Sequence, residues 1–229
     1  MSETNPSVIV FLGPSLDLDS ARSLLPNADF RQPASRGDIE SAALENPDII
    51  CLIDGVFFEQ CSVGHREILG ALNKKITVMG ASSMGALRAS EMLSFGMIGI
   101  GKVFDLFKNG ILESDDEVAI ICDPLTNLPL SEALVNIRET LQKAVLESVL
   151  SQSESELLLK TAAEIYYPDR VYDLLIEKAE ADGNVSLSSL SAFRKWIDNK
   201  NAADIKKEDA VSALNYIQKL LNQPPETGK

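Results

Sequence analysis

Three short apolar runs decide what this chain can fold into. Val8-Ile9-Val10-Phe11-Leu12 stops at Gly13-Pro14, Ile49-Ile50-Cys51-Leu52-Ile53 at Asp54-Gly55, and Ile76-Thr77-Val78-Met79 at Gly80. Each is too short for a helix and rich in β-branched residues, so each reads as a strand buried on both faces. Helical periodicity fills residues 16–25, 37–45 and 63–72. Buried strands alternating with helices give a parallel sheet with right-handed crossovers. Residues 84–95 read as a further helix, and Val118-Ala119-Ile120-Ile121-Cys122 as a fourth strand.

The pattern changes at Ser131. Residues 131–150, 154–165, 170–181, 187–197 and 206–221 are all helically periodic, with breaks at Tyr167-Pro168, Asp182-Gly183-Asn184 and residues 199–203. The expected architecture is α/β: a small parallel sheet with flanking helices in residues 1–130, then an all-helical extension over residues 131–229. The 229 residues suffice for one sizeable core and an appended subdomain. The end, 222–229 with Pro224-Pro225, is expected to fray.

Composition removes several classes of function. A formal net charge of −13 repels phosphate backbones, so no nucleic-acid partner is expected. No apolar stretch reaches the roughly 18 residues that a membrane-spanning helix needs. Met1-Ser2-Glu3-Thr4-Asn5-Pro6 lacks the basic-then-apolar pattern of a signal peptide. Cys51, Cys61 and Cys122 have no metal-ligand spacing, and Cys51 reads as a buried core thiol, so a reducing cytoplasmic setting is expected. Neither a P-loop nor a dinucleotide glycine fingerprint follows any strand, and no His/Cys cluster is present, so neither cofactor nor metal is expected. The glycines of residues 96–101 follow a helix, a poor place for a phosphate.

Ligands of an open parallel sheet bind at the carboxyl ends of its strands. Three segments therefore meet there: Gly13-Pro14-Ser15, Asp54-Gly55-Val56-Phe57, and the turn Gly80-Ala81-Ser82-Ser83-Met84-Gly85. That turn has the small-x-Ser-x-Gly form that exposes a nucleophile, with Ser83 in the nucleophile position and Ser82 before it. The N–H groups opening the next helix would hold an anion in front of it. A serine at that place also serves as a plain helix cap. His65 starts the helix after the second strand and is a candidate base, although Glu67 is badly placed to orient it. Capping or surface exposure is its other reading. Arg88 is a candidate anion holder, or else a partner of Glu91 at i, i+3. Asp115-Asp116-Glu117 is either a contact for a cation or basic partner, or a solvated turn. Lys206 is a base only if desolvation keeps it neutral, and its acidic neighbours Asp204, Glu208 and Asp209 oppose that.

Taken together these blocks resemble the TfuA-like family. The matching stretches are residues 10–16, 37–39, 53–57, 65–69, 80–91, 95–97, 115–119 and 129–138, and later Asp204-Ile205-Lys206 with Asp209-Ala210. The resemblance implies an accessory protein that acts with a YcaO enzyme in thioamidation of a peptide backbone. It further implies hydrolysis of a thiocarboxylated ThiS-type sulfur-carrier protein, which releases sulfide, and help in binding the peptide or protein substrate, as in ribosomal peptide modification. A Ser-Lys pair goes with that activity; it falls on Ser83 and, by best match, Lys206. Ser15, Asp54, His65, Ser82 and Arg88 would line the substrate or anion site. Where relatives commonly carry lysine after the histidine, this chain has Arg66, which stays protonated. The alternative role is a non-catalytic binding partner or activator of YcaO. An unrelated hydrolase of small esters would need a triad that these residues do not assemble.

Overall fold

The computed structural model describes residues 6–57, 61–123, 125–126 and 128–222. Its strands are β1 (Val8–Phe11), β2 (Asp29–Arg31), β3 (Ile49–Leu52), β4 (Thr77–Ala81) and β5 (Ile98–Ile100). The helices of the first part are α1 (Leu18–Leu24), α2 (Asp38–Leu44), α3 (His65–Asn73), α4 (Met84–Met92) and α5 (Lys102–Lys108). Those of the second part are α6 (Leu134–Leu146), α7 (Gln152–Glu164), α8 (Tyr172–Asp182), α9 (Leu187–Asp198) and α10 (Ile205–Leu221).

The strands form one five-stranded sheet, all parallel, in the order β2-β1-β3-β4-β5. Its register sets Val10 beside Cys51 and Cys51 beside Met79. Because side chains alternate along a strand, Val8, Val10, Leu12, Ile49, Cys51, Ile53, Met79 and Ala81 share one face. That face is covered by α1 through Ala21, and by α10 through Ala210, Ala213, Leu214 and Ile217. The α10 residues follow the i, i+3, i+4, i+7 spacing of an amphipathic stripe. Cys51 is fully buried there, and its thiol is pushed up to about 12 by burial.

The α/β expectation holds, with corrections in detail. Val118 to Cys122 is not a strand. Asp115–Glu117 is a 3-10 turn, and Cys122 makes a single antiparallel bridge to Pro129. The β-branched run pairs only locally, across a tight turn in which the Asp123 carboxylate accepts from Leu125 and Thr126 N–H. The two strands not anticipated, β2 and β5, have three residues each and sit at the sheet edges. One is polar and the other carries Gly99, so neither shows as an apolar run.

The chain divides into two compact units, one running to Glu113 and resuming at Lys206, the other Ser114–Ile205. The expected boundary at residue 130 and the helical block from 131 to 229 differ from this division. The reason is the sheet face described above: the seven-residue α1 is too short to cover it, and α10 completes the cover. The second unit is all-helical, with Leu141, Leu158, Leu175, Leu190 and Phe193 at its centre. The fraying expected of the tail falls on residues 223–229, outside the described residues. Among the described residues no helix is long and apolar enough to cross a membrane.

Candidate active site

The strand order 2-1-3-4-5 reverses direction between β1 and β3, and the crevice at such a switch point is where doubly wound sheets bind ligands. Ser15 follows β1 and Asp54 follows β3, so both stand at that point. Asp54 Oδ2 accepts from the N–H groups of Gly13 (2.8 Å) and Ser15 (3.1 Å), and Oδ1 accepts the Ser15 hydroxyl at 2.7 Å. Ser82, at the end of β4, donates its hydroxyl to Ser15 Oγ at 2.9 Å. The loops after three neighbouring strands are thereby tied into one cluster.

The turn between β4 and α4 is sharp. Ser82 has φ +67, and Ser83 N–H closes a γ-turn around it on Ala81 C=O at 2.8 Å. A serine held in the left-handed region is strained by about 1–3 kcal/mol and marks a site that its surroundings enforce. Two glycines make the geometry possible. A Cβ on Gly80 would lie 2.1 Å from the Gly85 carbonyl oxygen, and one on Gly85 would lie 1.8 Å from that of Leu52. Backbone fills the space a side chain would need, so α4 enters pressed against the ends of β3 and β4. Ser82 and Ser83 are 0% and 1% exposed, so any substrate reaches them only once covering groups move aside.

The helix opening is less free than its position suggests. Gly85 N–H donates to Ile53 C=O, and Ser83 N–H is turned back onto Ala81. His65 does find a carboxylate, but it is Glu91: Nε2 lies 2.9 Å from Glu91 Oε2. Arg88 bonds the same carboxylate through Nη1 and donates from Nε to Val63 C=O at 2.8 Å. The i, i+3 pair of Arg88 and Glu91 is therefore formed, and it includes His65. Glu67 is committed elsewhere, accepting from Gly37, Ile39 and Gly64 N–H.

Lys206 is the second residue of α10 and is only 3% exposed. The acidic sequence around it reads as solvated, yet three residues on, Asp209 is buried as well. Its carboxylate accepts from Lys102 N–H (2.8 Å) and Val103 N–H (2.7 Å), which open α5. Burial raises Asp209 to about 6 despite those two bonds. This carboxylate also occupies the anion position after the glycines of residues 96–101. Lys206, Ser15, Asp54, His65, Ser82, Ser83 and Arg88 all belong to the first compact unit.

The acids Asp115-Asp116-Glu117 lie in the second unit and are paired internally, Asp116 with Arg170 and Glu117 with Arg138. Sequence spacing could not reveal these pairs, since 54 and 21 residues separate the partners. Among the described residues no group of acidic, histidine or cysteine side chains is arranged to hold a metal ion.

The parallel doubly wound sheet, with a strained and buried serine turn at its carboxyl edge, defines an α/β protein. Residues 54–171, more than half of the chain, match the family described as TfuA-like protein. The chain belongs to the TfuA-like family. No curated protein matches it. The family's role is an accessory one beside a YcaO enzyme in peptide-backbone thioamidation.

Proposed function

We propose that this chain hydrolyses the thiocarboxylate of a ThiS-type sulfur-carrier protein, supplies the sulfide to a YcaO enzyme, and aids that enzyme's binding of its peptide substrate. The observation that carries the reading is the turn itself: adjacent buried serines on a γ-turn with positive φ, between a central strand and a helix. Ser83 is the nucleophile. Its oxygen attacks the thiocarboxyl carbon, and we assign the N–H of Met84, first in α4, to the developing oxyanion. Collapse of the adduct breaks the C–S bond, sulfide leaves, and water then releases a plain carboxylate carrier from the acyl-serine. Lys206 is the proton carrier; it is buried near the start of α10, in the same compact unit as Ser83. Ser15, Asp54, Ser82, Arg88 and His65 shape the anion site around the turn.

The second reading, a non-catalytic activator of YcaO, draws on the closure of the turn to solvent. Ser83→Ala separates the two when carrier thiocarboxylate loss and YcaO binding are measured on the same protein. Lost hydrolysis with intact binding supports the enzyme; unchanged hydrolysis removes Ser83 as nucleophile.

A further inference from the structure

Ser82 and Ser83 are closed off from solvent, and one segment of their surroundings is held differently from the rest. Residues 33–36 run from β2 to α2 and cross the carboxyl ends of β1 and β3. A Cβ on Gly13, after β1, would lie 2.4 Å from Pro33 Cγ. After β3, Ala34 forms an isolated parallel bridge with Gly55: its N–H donates to Asp54 C=O and its C=O accepts from Val56 N–H, both at 3.0 Å. A Cβ on Gly55 would meet the Ala34 carbonyl oxygen at 3.0 Å and Met84 Cγ at 2.9 Å. The main chain of this strap and the residue after Ser83 thus close on the same point.

Main-chain bonds do most of the holding. Ala34 is the one buried residue of the strap, so lifting it returns little more than a methyl group to water. The bridge spans a single residue, so its two hydrogen bonds break together and water replaces them. Arg36 adds ties to the loop before α3, from its N–H to Cys61 C=O (2.7 Å) and from Nε to Ser62 C=O (3.4 Å). At the far end, Ser35 and Gly37 N–H bond the carboxylates of Asp38 and Glu67. Gly37 has φ +91 and open space where a Cβ would stand, the freedom a hinge needs. The neighbouring turn has no such freedom, because Gly80 and Gly85 press backbone against backbone.

We propose that residues 33–36 are a gate: the Ala34–Gly55 bridge opens, the strap swings about Gly37, and the extended C-terminal tail of the carrier enters across Gly55 towards Ser83. The choice of occupant rests on the reading of Ser83 as nucleophile; the gate itself does not. Opening frees the C=O of Asp54 and the N–H of Val56, the main-chain pair that an extended peptide of any sequence can bond. The strap therefore occupies in the closed state what the tail occupies in the open one. Opening precedes binding, so closure weakens the apparent affinity for the carrier by the fraction of molecules that are open.

Hydrogen exchange of the wild-type protein reads the gate without any substrate. The amides of Ala34 and Val56 are expected to exchange at least about tenfold faster than that of Ile53, which donates to Phe11 C=O in the sheet. Ser83→Cys then reports access to the turn, through the rate at which iodoacetamide labels that position in peptide maps. Ala34→Pro removes the N–H that Asp54 C=O receives; Ala34→Gly, which loosens the strap but keeps the N–H, serves should the proline variant fail to fold. In either background, labelling is expected to rise about fivefold or more, and KM for a ThiS-type carrier thiocarboxylate to fall by the same factor, with kcat within about twofold. Cys51, fully buried in the sheet, should stay unlabelled, which separates gate opening from unfolding. Unchanged labelling in both variants, or Ala34 and Val56 amides as slow as that of Ile53, would overturn the gate. The two ideas fail separately. Faster labelling in a protein that releases no sulfide leaves the gate standing and removes the nucleophile, whereas an acylated Ser83 with unchanged labelling removes the gate alone.

Discussion

Gly101 and Asp209 stand so close that a Cβ on the glycine would lie 2.2 Å from the carboxyl carbon of the aspartate. Gly101 also has φ +97, a conformation that side chains rarely adopt. The contact joins the start of α5 to α10, the helix that carries Lys206. Gly101→Ala is expected to cost about 2–4 kcal/mol through strain and collision together. Gly183→Ala, at a positive φ with open space around it, should cost only about 1 kcal/mol. Urea midpoints of the two variants check the difference.

Asp209 makes stability depend on pH in an unusual direction. Its folded pKa is raised to about 6 from the ordinary 3.8 of an aspartate, with burial as the largest cause. The folded state therefore holds its proton more tightly than the unfolded state. The group's contribution is fully present below the unfolded value and is lost as pH rises through about 6, by about 2–3 kcal/mol in all. Other carboxylates act oppositely: Glu154, for example, is lowered by hydrogen bonds from Ser189 and Ser151. The test is consequently a difference. Measured by far-ultraviolet dichroism, the wild-type protein should gain on Asp209→Asn as pH falls from about 7 to about 4.5. A constant difference would refute the assignment.

Arg170 is fully buried in the second unit and fills its fork with four acceptors: the carbonyls of Ala162, Ile165 and Asp116, and the Asp116 carboxylate. A lysine cannot reproduce that planar fork. Arg170→Lys should destabilise this unit by about 3 kcal/mol or more. The single tryptophan, Trp196, packs in the same unit against Phe193 and reports its unfolding by fluorescence.

Much of this was legible in the chain. The apolar runs at β1, β3 and β4 and the periodicity between them gave the parallel sheet, because strands buried on both faces need no partner to be recognised. Placing Ser15, Asp54 and Ser82 at the carboxyl ends of those strands followed from the same topology. What escaped notice depends on partners distant in sequence. Ser82 bonds Ser15 across 67 residues, and Asp209 bonds Lys102 and Val103 across more than a hundred. The acids around Lys206 suggested a solvated helix start, whereas Asp209 is satisfied by backbone N–H groups that no side-chain pattern announces. The expected strand at residues 118–122 failed for a related reason: β-branched residues also suit a buried turn, and only the pairing partner decides.

The central claim is that Ser83 takes the acyl group of the carrier. The most direct measurement is to mix the protein with a thiocarboxylated ThiS-type carrier, quench within the first turnover and map the acylated residue by mass spectrometry. The account predicts a carrier–protein ester on Ser83, present in Ser82→Ala and absent from Ser83→Ala. An ester on Ser82, or wild-type sulfide release by Ser83→Ala, would contradict it.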